Sequence, residues 1–292
     1  MKTVNKGHSV WIHDVGDFCL QHIFECGQAF RWNKEDSGSY TGVVGNKAVR
    51  AKYNEDDKVL ILDNCTLEEY ESHWKHYFDL DRDYARIKKE LSADKVMKAA
   101  VRHGWGIRVL NQDPWETLIS FIISANNNIK RIQTIIEKLS EHYGNEIEWE
   151  GKLYYTFPAP EALASAREED LRACGCGYRG PYIKETARMV ADGILSPYKI
   201  KKLPYEEAHK ELLRFPGVGP KVADCILLFS MEKTEAFPVD VWLRRVMEYF
   251  YTDKPMPPKQ IKLMAGERFG KHAGLAQQYL FYYAREMQIG KE

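Results

Sequence analysis

Hydrophobic residues follow two patterns along the chain, and the change between them predicts its organisation. From residue 10 to 63 the sequence has alternating and β-branched stretches broken by turn-forming pairs such as Ser37-Gly38, which is typical of strands. From Thr66 onward apolar residues recur every three or four positions, which is typical of amphipathic helices. Thr66 and Glu69 have the spacing of a capping box, which favours a helix start here.

We therefore predict an α+β fold with two domains. Residues 1–103 are expected to form an N-terminal domain whose strands are grouped early in the sequence. Residues 104–292 are expected to form a mainly α-helical body, because they consist almost entirely of amphipathic segments separated by Pro or Gly. No repeat of fixed period is present, which excludes a solenoid.

Composition narrows the class of protein. The chain has 292 residues, of which 44% are hydrophobic and 12% aromatic, and this excludes a disordered protein. Because 42 Lys and Arg residues balance 42 Asp and Glu residues, any nucleic-acid surface must be small and focused. The sequence has neither an apolar run long enough to span a membrane nor a secretion signal. We expect an intracellular protein without membrane contact, in the cytoplasm or nucleoid of a prokaryote or the nucleus of a eukaryote.

The cysteines do not predict a metal site. All six are scattered, and their spacings match neither zinc fingers nor iron–sulfur clusters. Cys174 and Cys176 are close in sequence, but no second pair completes a set of ligands, and their role stays open. We expect reduced thiols.

The sharpest local signal is a glycine-rich turn between two short helical segments, at about residues 206–231. Gly217, Val218 and Gly219 form this turn, and glycines let the backbone bend sharply and approach a ligand closely. The second helix begins near Pro220, and its free N–H groups favour an anion such as a phosphate. The pattern indicates a helix–hairpin–helix motif that holds a DNA phosphate, although an ordinary helical hairpin fits the turn alone.

Lys221 and Asp240 are the candidate catalytic residues. Lys221 stands in the first turn of a helix, where a cation is disfavoured, and this favours the uncharged amine that acts as a nucleophile. Asp240 directly precedes another amphipathic segment, where a carboxylate is well placed to cap the helix. Taken alone, Lys221 could be a solvated side chain and Asp240 a helix cap. Together with the hairpin, the two residues form a more specific pattern.

Several separated motifs together resemble one family. The run PGVGPKVADC followed by FPVDV is similar to the helix–hairpin–helix DNA glycosylases, whose signature is a Gly/Pro-rich loop and an Asp. CGQAFRW, QDPWETLISFIISANNNIKRI, GYRGPY and HAGLAQQYLF resemble the bifunctional 8-oxoguanine DNA glycosylase/AP lyases, in the same order, over about residues 10–288. Because nothing after Cys225 is a cysteine, the C-terminal iron–sulfur loop of the endonuclease III-like relatives is absent.

The resemblance implies a fold and a reaction. It implies an N-terminal antiparallel sheet, two helical subdomains with the active cleft between them, and a monomer acting on double-stranded DNA that contains oxidised guanine. Lys221 would attack C1′ as the base leaves and form a Schiff base, and Asp240 would stabilise positive charge at the sugar. No cofactor is implied, because imine chemistry needs none, but the carbonyls of Leu213, Phe215 and Val218 would suit an alkali-metal ion.

The resemblance also implies residues that read the damaged base. The backbone carbonyl of Gly27 would accept the N7–H that distinguishes 8-oxoguanine from guanine. Gln277 and Phe281, four residues apart, would face one side of a helix, where Gln277 bonds the Watson–Crick edge and Phe281 stacks on the ring. Cys225 would lie on the other face of the base. Without the family resemblance, Gly27 would be interpreted as a turn glycine, and Phe281 and Cys225 as core residues.

A further group would act on the gap and the opposite strand. By resemblance, Asn126 would enter the space that the base vacates, Arg131 and Arg179 would contact the unpaired cytosine, and Tyr178 would act as an aromatic wedge. The chain departs from the family at Trp242, where a histidine usually contacts phosphates, so that contact is in doubt.

Two other functions remain open from the sequence. A non-catalytic helix–hairpin–helix protein would use Lys221 only to bind DNA phosphates. A glycosylase for another damaged base would keep the catalytic pair and differ in the residues that surround the base.

Overall fold

The computed structural model describes residues 1–252 and 254–289. Within these residues the N-terminal strands form an antiparallel sheet in the order β1-β2-β6-β5-β4-β3. These strands are β1 (Lys2–Lys6), β2 (Ser9–His13), β3 (Trp32–Lys34), β4 (Tyr40–Val44), β5 (Lys47–Asn54) and β6 (Val59–Asp63). The predicted α+β fold with an early sheet is confirmed, and β1 begins before the region from which strands were predicted.

Helices account for most of the chain after the sheet. Thr66 caps the helix that begins at Leu67 and forms the predicted capping box with Glu69. The helices are α1 (Leu20–Phe24), α2 (Leu67–Glu69), α3 (Lys75–Tyr77), α4 (Tyr84–Leu91), α5 (Lys95–His103), α6 (Pro114–Ser124), α7 (Ile129–Tyr143), α8 (Pro160–Ser165), α9 (Glu168–Ala173), α10 (Gly180–Ala191), α11 (Pro197–Ile200), α12 (Tyr205–Leu212), α13 (Pro220–Ser230), α14 (Val241–Tyr251), α15 (Pro258–Phe269) and α16 (Ala273–Glu286).

A second, small sheet interrupts the helical body, and the sequence analysis missed it. β7 (Glu146–Trp149) pairs with β8 (Lys152–Tyr155) in a hairpin. Its strands have four residues each, too few to show a period against the surrounding helices. Trp149 packs under the guanidinium of Arg50 in β5, at 4.9 Å from its ring centroid, so the hairpin is held against the N-terminal sheet.

Two hydrophobic cores support the site. The sheet covers an aromatic core in which Phe24 stacks on Trp32 at 4.2 Å and the Trp32 indole donates to Tyr77 at 2.8 Å. The helical core includes buried residues of α4 and α5 as well as those of α6 onward. Packing therefore crosses residue 103, and the division of the chain at 103/104 stays a prediction.

No helix among residues 1–252 and 254–289 combines the length and the apolar character that a membrane crossing requires.

Candidate active site

The glycine-rich turn has the geometry of a helix–hairpin–helix. It joins α12 to α13, and the Val218 N–H donates to the Phe215 carbonyl at 3.1 Å across the turn. Gly217 has a φ of +80°, and a Cβ there would lie 3.0 Å from the Tyr182 ring, so the position requires glycine. Gly219 has an ordinary φ of −93°, caps α13, and has no atom within 4 Å of where its Cβ would be. Gly219 therefore leaves space for a ligand at the start of α13.

The predicted alkali-metal ligands lie in the same turn. The carbonyl of Phe215 already accepts the Val218 N–H, and its second lone pair is available to a cation. An ion on the carbonyls of Leu213, Phe215 and Val218 would fix the turn that is predicted to hold the phosphate. This ion stays a prediction. Among residues 1–252 and 254–289, no group of three or more His, Cys, Asp or Glu side chains could hold a metal.

Lys221 is half-buried in the first turn of α13. Its Nζ lies 5.6 Å from the ring centroid of Phe121 on α6, at the wall of a cleft of about 730 Å³. Cys225, one turn further along α13, lies in an adjoining pocket that Lys221 also lines. Burial raises the pKa of the Cys225 thiol to about 11, while the charge of Lys221 acts in the opposite direction. Cys225 is thus a neutral, buried wall of the pocket.

Asp240 faces the same space from α14. It caps that helix, because its Oδ1 accepts the Leu243 N–H at 2.7 Å, and this fixes the carboxylate. Burial raises the pKa of Asp240, and the Leu243 N–H and the charge of Lys221 partly oppose that shift. Both Lys221 and Asp240 line the cleft and its adjoining pocket. The predicted catalytic pair is therefore brought together from two helices that are separate in sequence.

The residues predicted to bind the damaged base line this pocket too. Gly27 has a φ of +79°, and a Cβ at this position would lie 3.4 Å from the Phe281 ring. Gln277 is 4% exposed, and Phe281 lies one turn further along α16. The pocket is lined by Cys26, Gly27, Phe121, Lys221, Cys225, Phe229, Pro238, Asp240, Gln277, Gln278 and Phe281.

Sequence reasoning missed the role of Gln28, although it lies in the CGQAFRW motif. Gln28 is 1% exposed, and its Nε2 donates to the carbonyls of Ile23 at 2.9 Å and Arg108 at 2.7 Å. Its Oε1 accepts the Leu110 N–H at 2.9 Å. Gln28 thus anchors the loop that carries Gly27, which a polar residue in an apolar motif could have signalled.

The residues assigned to the gap surround one backbone carbonyl at the end of α6. The Tyr178 hydroxyl donates to the carbonyl of Ala125 at 3.2 Å, and the Arg179 Nε donates to the same oxygen at 2.9 Å. Tyr178 is 57% exposed, as a wedge requires, whereas Arg179 is only 3% exposed. Asn126 is exposed and has a φ of +50°, so its backbone departs from the helical conformation directly after α6.

Arg131 and Trp242 are not part of this group. Arg131 is exposed in the first turn of α7, where its N–H donates to the Asn128 side chain at 3.0 Å. Trp242 is half-buried at the cleft wall, with the guanidinium of Arg245 at 5.5 Å from its ring centroid. A cation therefore lies beside the position where the family usually has a histidine.

Two known protein families match successive parts of the chain. Residues 11–118 match the family described as the N-terminal domain of 8-oxoguanine DNA glycosylase. Residues 119–270 match the HhH-GPD superfamily of base excision DNA repair proteins. The two matched segments cover the sheet from residue 11 onward, the helix–hairpin–helix, Lys221 and Asp240.

Individual proteins agree with the family match. The chain is 45% identical to an 8-oxoguanine glycosylase/lyase of Clostridium acetobutylicum solved with double-stranded DNA containing cytosine opposite 8-oxoguanine, with a TM-score of 0.96 and 99% of both chains covered. It is 32% identical to the N-glycosylase/DNA lyase of Saccharomyces cerevisiae over 91% of this chain and 83% of that protein. It is 36% identical to a probable N-glycosylase/DNA lyase of Methanothermobacter thermautotrophicus over 72% of this chain and 73% of that protein.

Proposed function

The chain belongs to the HhH-GPD superfamily of base excision DNA repair proteins and is a bifunctional 8-oxoguanine DNA glycosylase/AP lyase, and from this premise we propose which residues perform the reaction. The single observation that carries the proposal is that one pocket contains Lys221, Asp240 and the candidate base-binding residues. Its substrate is duplex DNA that contains 8-oxoguanine. We propose that the enzyme acts as a monomer and works where the cell's DNA is located.

The reaction begins with base flipping, because C1′ cannot be reached inside a stacked duplex. The Lys221 amine then attacks C1′, and the bond from C1′ to the base breaks with its electron pair leaving on the base, which takes up a proton. The sugar ring opens to give an imine between Lys221 and C1′. Loss of a proton from C2′ expels the 3′ phosphate, so the strand is cut, and hydrolysis of the imine releases the lysine.

Asp240 supports the step in which positive charge develops at the sugar. Its carboxylate is held by the Leu243 N–H in a buried position, and a preorganised charge in a poorly hydrated pocket stabilises a cation more strongly than water does. The same carboxylate attracts Lys221 and orients its amine toward the pocket. Asp240 therefore acts by electrostatics and orientation, without a covalent step.

Hydride trapping tests the proposal. Borohydride reduces the imine, so wild-type protein should become covalently attached to duplex DNA carrying 8-oxoguanine, and Lys221→Gln should give neither adduct nor strand cleavage while binding the duplex normally. Lys210→Gln is the matched control, because Lys210 is an exposed lysine on the first helix of the hairpin.

Two outcomes would overturn it. Strand cleavage that persists in Lys221→Gln would remove Lys221 as the nucleophile. Wild-type protein that binds the duplex but is never trapped would indicate non-catalytic binding. A panel of duplexes with other damaged bases then separates this enzyme from a glycosylase for a different lesion.

A further inference from the structure

Two adjacent buried amides lie at the base pocket. Gln277 is 4% exposed and Gln278 is 2% exposed, and both line the pocket that contains Lys221 and Phe281. Gln278 Nε2 donates to Gln277 Oε1 at 2.9 Å. On an α-helix, residues 277, 281 and 278 point in directions spread over about 100°, so these three side chains share one face of α16.

The hydrogen bond between the amides leaves two groups unused. Gln278 Oε1 is buried and has no hydrogen-bond partner among residues 1–252 and 254–289. Gln277 uses its oxygen to accept from Gln278, and its Nε2 makes no hydrogen bond within that part of the chain. A buried amide oxygen without a partner is uncommon, since it has lost its hydration without compensation. The pair therefore has one unused donor, on Gln277, and one unused acceptor, on Gln278.

This pattern is complementary to one kind of base edge. The Watson–Crick edge of guanine and of 8-oxoguanine has an acceptor at O6 beside a donor at N1–H. Adenine and 8-oxoadenine have the reverse order, with a donor at N6 and an acceptor at N1. A donor and an acceptor held in a fixed order can both bond the guanine edge. Against the adenine edge, the donor would face a donor and the acceptor would face an acceptor.

We infer that Gln278 is a specificity-determining residue for the excised base, which rests on the proposed function of this pocket. Its Oε1 accepts a hydrogen bond from an N–H of the guanine edge, while Gln277 Nε2 donates to O6. Gln278 also fixes the orientation of Gln277, because its N–H holds the Gln277 oxygen away from the base. The class of base selected is thus an oxidised purine with a carbonyl beside a ring N–H.

Single-turnover excision by Gln278→Met, which removes both polar groups and keeps the length of the side chain, tests this inference. Three substrates are compared: 8-oxoguanine opposite cytosine, 8-oxoadenine opposite cytosine, and a preformed abasic site. Excision of 8-oxoguanine should slow by about 5- to 150-fold, the effect of one unpaired buried hydrogen-bonding group. Excision of 8-oxoadenine should not slow, and cleavage of the abasic site should be unchanged because that substrate has no base to read.

Controls separate this role from a structural one. Tyr283→Phe alters the same helix at a half-buried position outside the pocket and should leave the rates on all three substrates unchanged. Gln278→Leu is a second variant in case Gln278→Met does not fold. The inference is overturned if 8-oxoguanine is excised at the wild-type rate, or if abasic-site cleavage falls as much as excision. Failure of the proposed function is distinct, because it would show as strand cleavage that persists in Lys221→Gln or as wild-type protein that is never trapped, whatever the rates of Gln278→Met.

Discussion

The buried guanidinium of Arg179 donates to the backbone carbonyl of Asn126 at 3.0 Å. Arg179 also donates to the carbonyl of Ala125, so the end of α6 is tied to the turn before α10. Asn126 is predicted to enter the vacated space, and Arg179 is predicted to contact the opposite base. The two residues are therefore held together without DNA. Within residues 1–252 and 254–289 the Arg179 Nη1 makes no hydrogen bond, and its donors remain for a base.

The two arginines should differ in what they contribute. Arg131→Met should change the free energy of unfolding by less than about 0.5 kcal/mol, because Arg131 is exposed. Arg179→Met should lower it by about 1–3 kcal/mol, because two carbonyls lose their buried donor. Thermal or denaturant unfolding of both variants measures the difference.

The same variants test recognition of the opposite base. Cytosine offers acceptors to a guanidinium, whereas adenine places a donor at N6, so wild-type protein should prefer cytosine by about 5- to 150-fold. Arg131→Met should reduce that preference while still removing the lesion. Single-turnover excision with each of the four bases opposite 8-oxoguanine is the measurement. An unchanged ranking and spread would exclude Arg131 as a cytosine reader.

The two glycines of the hairpin should fail in different ways. Gly217→Ala should destabilise the protein by about 1–2 kcal/mol, because alanine resists the positive φ, and its Cβ would press on Tyr182. Gly219→Ala should cost less than about 1 kcal/mol in stability, since φ is ordinary and the space is open. The added Cβ at position 219 should instead obstruct the DNA phosphate and weaken duplex binding by about tenfold.

Unfolding and DNA-binding measurements on both variants decide this point. Equal stability losses would show that the backbone conformation of Gly217 is not demanding. Full DNA affinity in Gly219→Ala would show that the phosphate does not approach this turn.

The stability of the protein should depend on pH through Asp240. Burial raises the pKa of this carboxyl in the folded state, so its contribution to stability is present below the ordinary pKa of about 3.9 and is lost as pH rises through the folded value. Asp240→Asn removes this titration and keeps an oxygen for the Leu243 N–H. The variant should therefore have a higher Tm than wild type at pH 7, with a difference that shrinks below about pH 4.

The same substitution that raises Tm should lower the rate of excision. Asp240→Asn should slow excision by about 100-fold or more, because the preorganised negative charge is lost. Melting curves over a pH series, paired with single-turnover rates, give both readouts. A Tm gap that widens as the pH falls would contradict the assigned direction of the pKa shift.

The Gly27 carbonyl should read N7–H of the lesion. A lesion analogue with carbon in place of nitrogen at position 7 lacks this donor and should be excised more slowly by about 5- to 150-fold, or about 1–3 kcal/mol. The comparison uses single-turnover excision of the analogue and of 8-oxoguanine opposite cytosine. Equal rates would mean that the pocket reads C8 or shape instead.

Local sequence determined several features of the structure. The capping box at Thr66, the hairpin, and the cap at Asp240 are formed by residues within a few positions of each other, and so their patterns are visible in one segment. The short β7–β8 hairpin was not predicted, because it is stabilised by pairing and by Arg50 from a distant strand rather than by its own period.

The sequence by itself determined the kinds of residue that the chemistry needs and the helix starts on which Lys221 and Asp240 stand. Only the tertiary structure decided how these groups meet. Burial of Asp240, the anchoring of the Gly27 loop by Gln28, and the free oxygen of Gln278 all depend on side chains that approach from other helices and loops. Desolvation and hydrogen-bond satisfaction are properties of packing, and no single segment of the chain contains them.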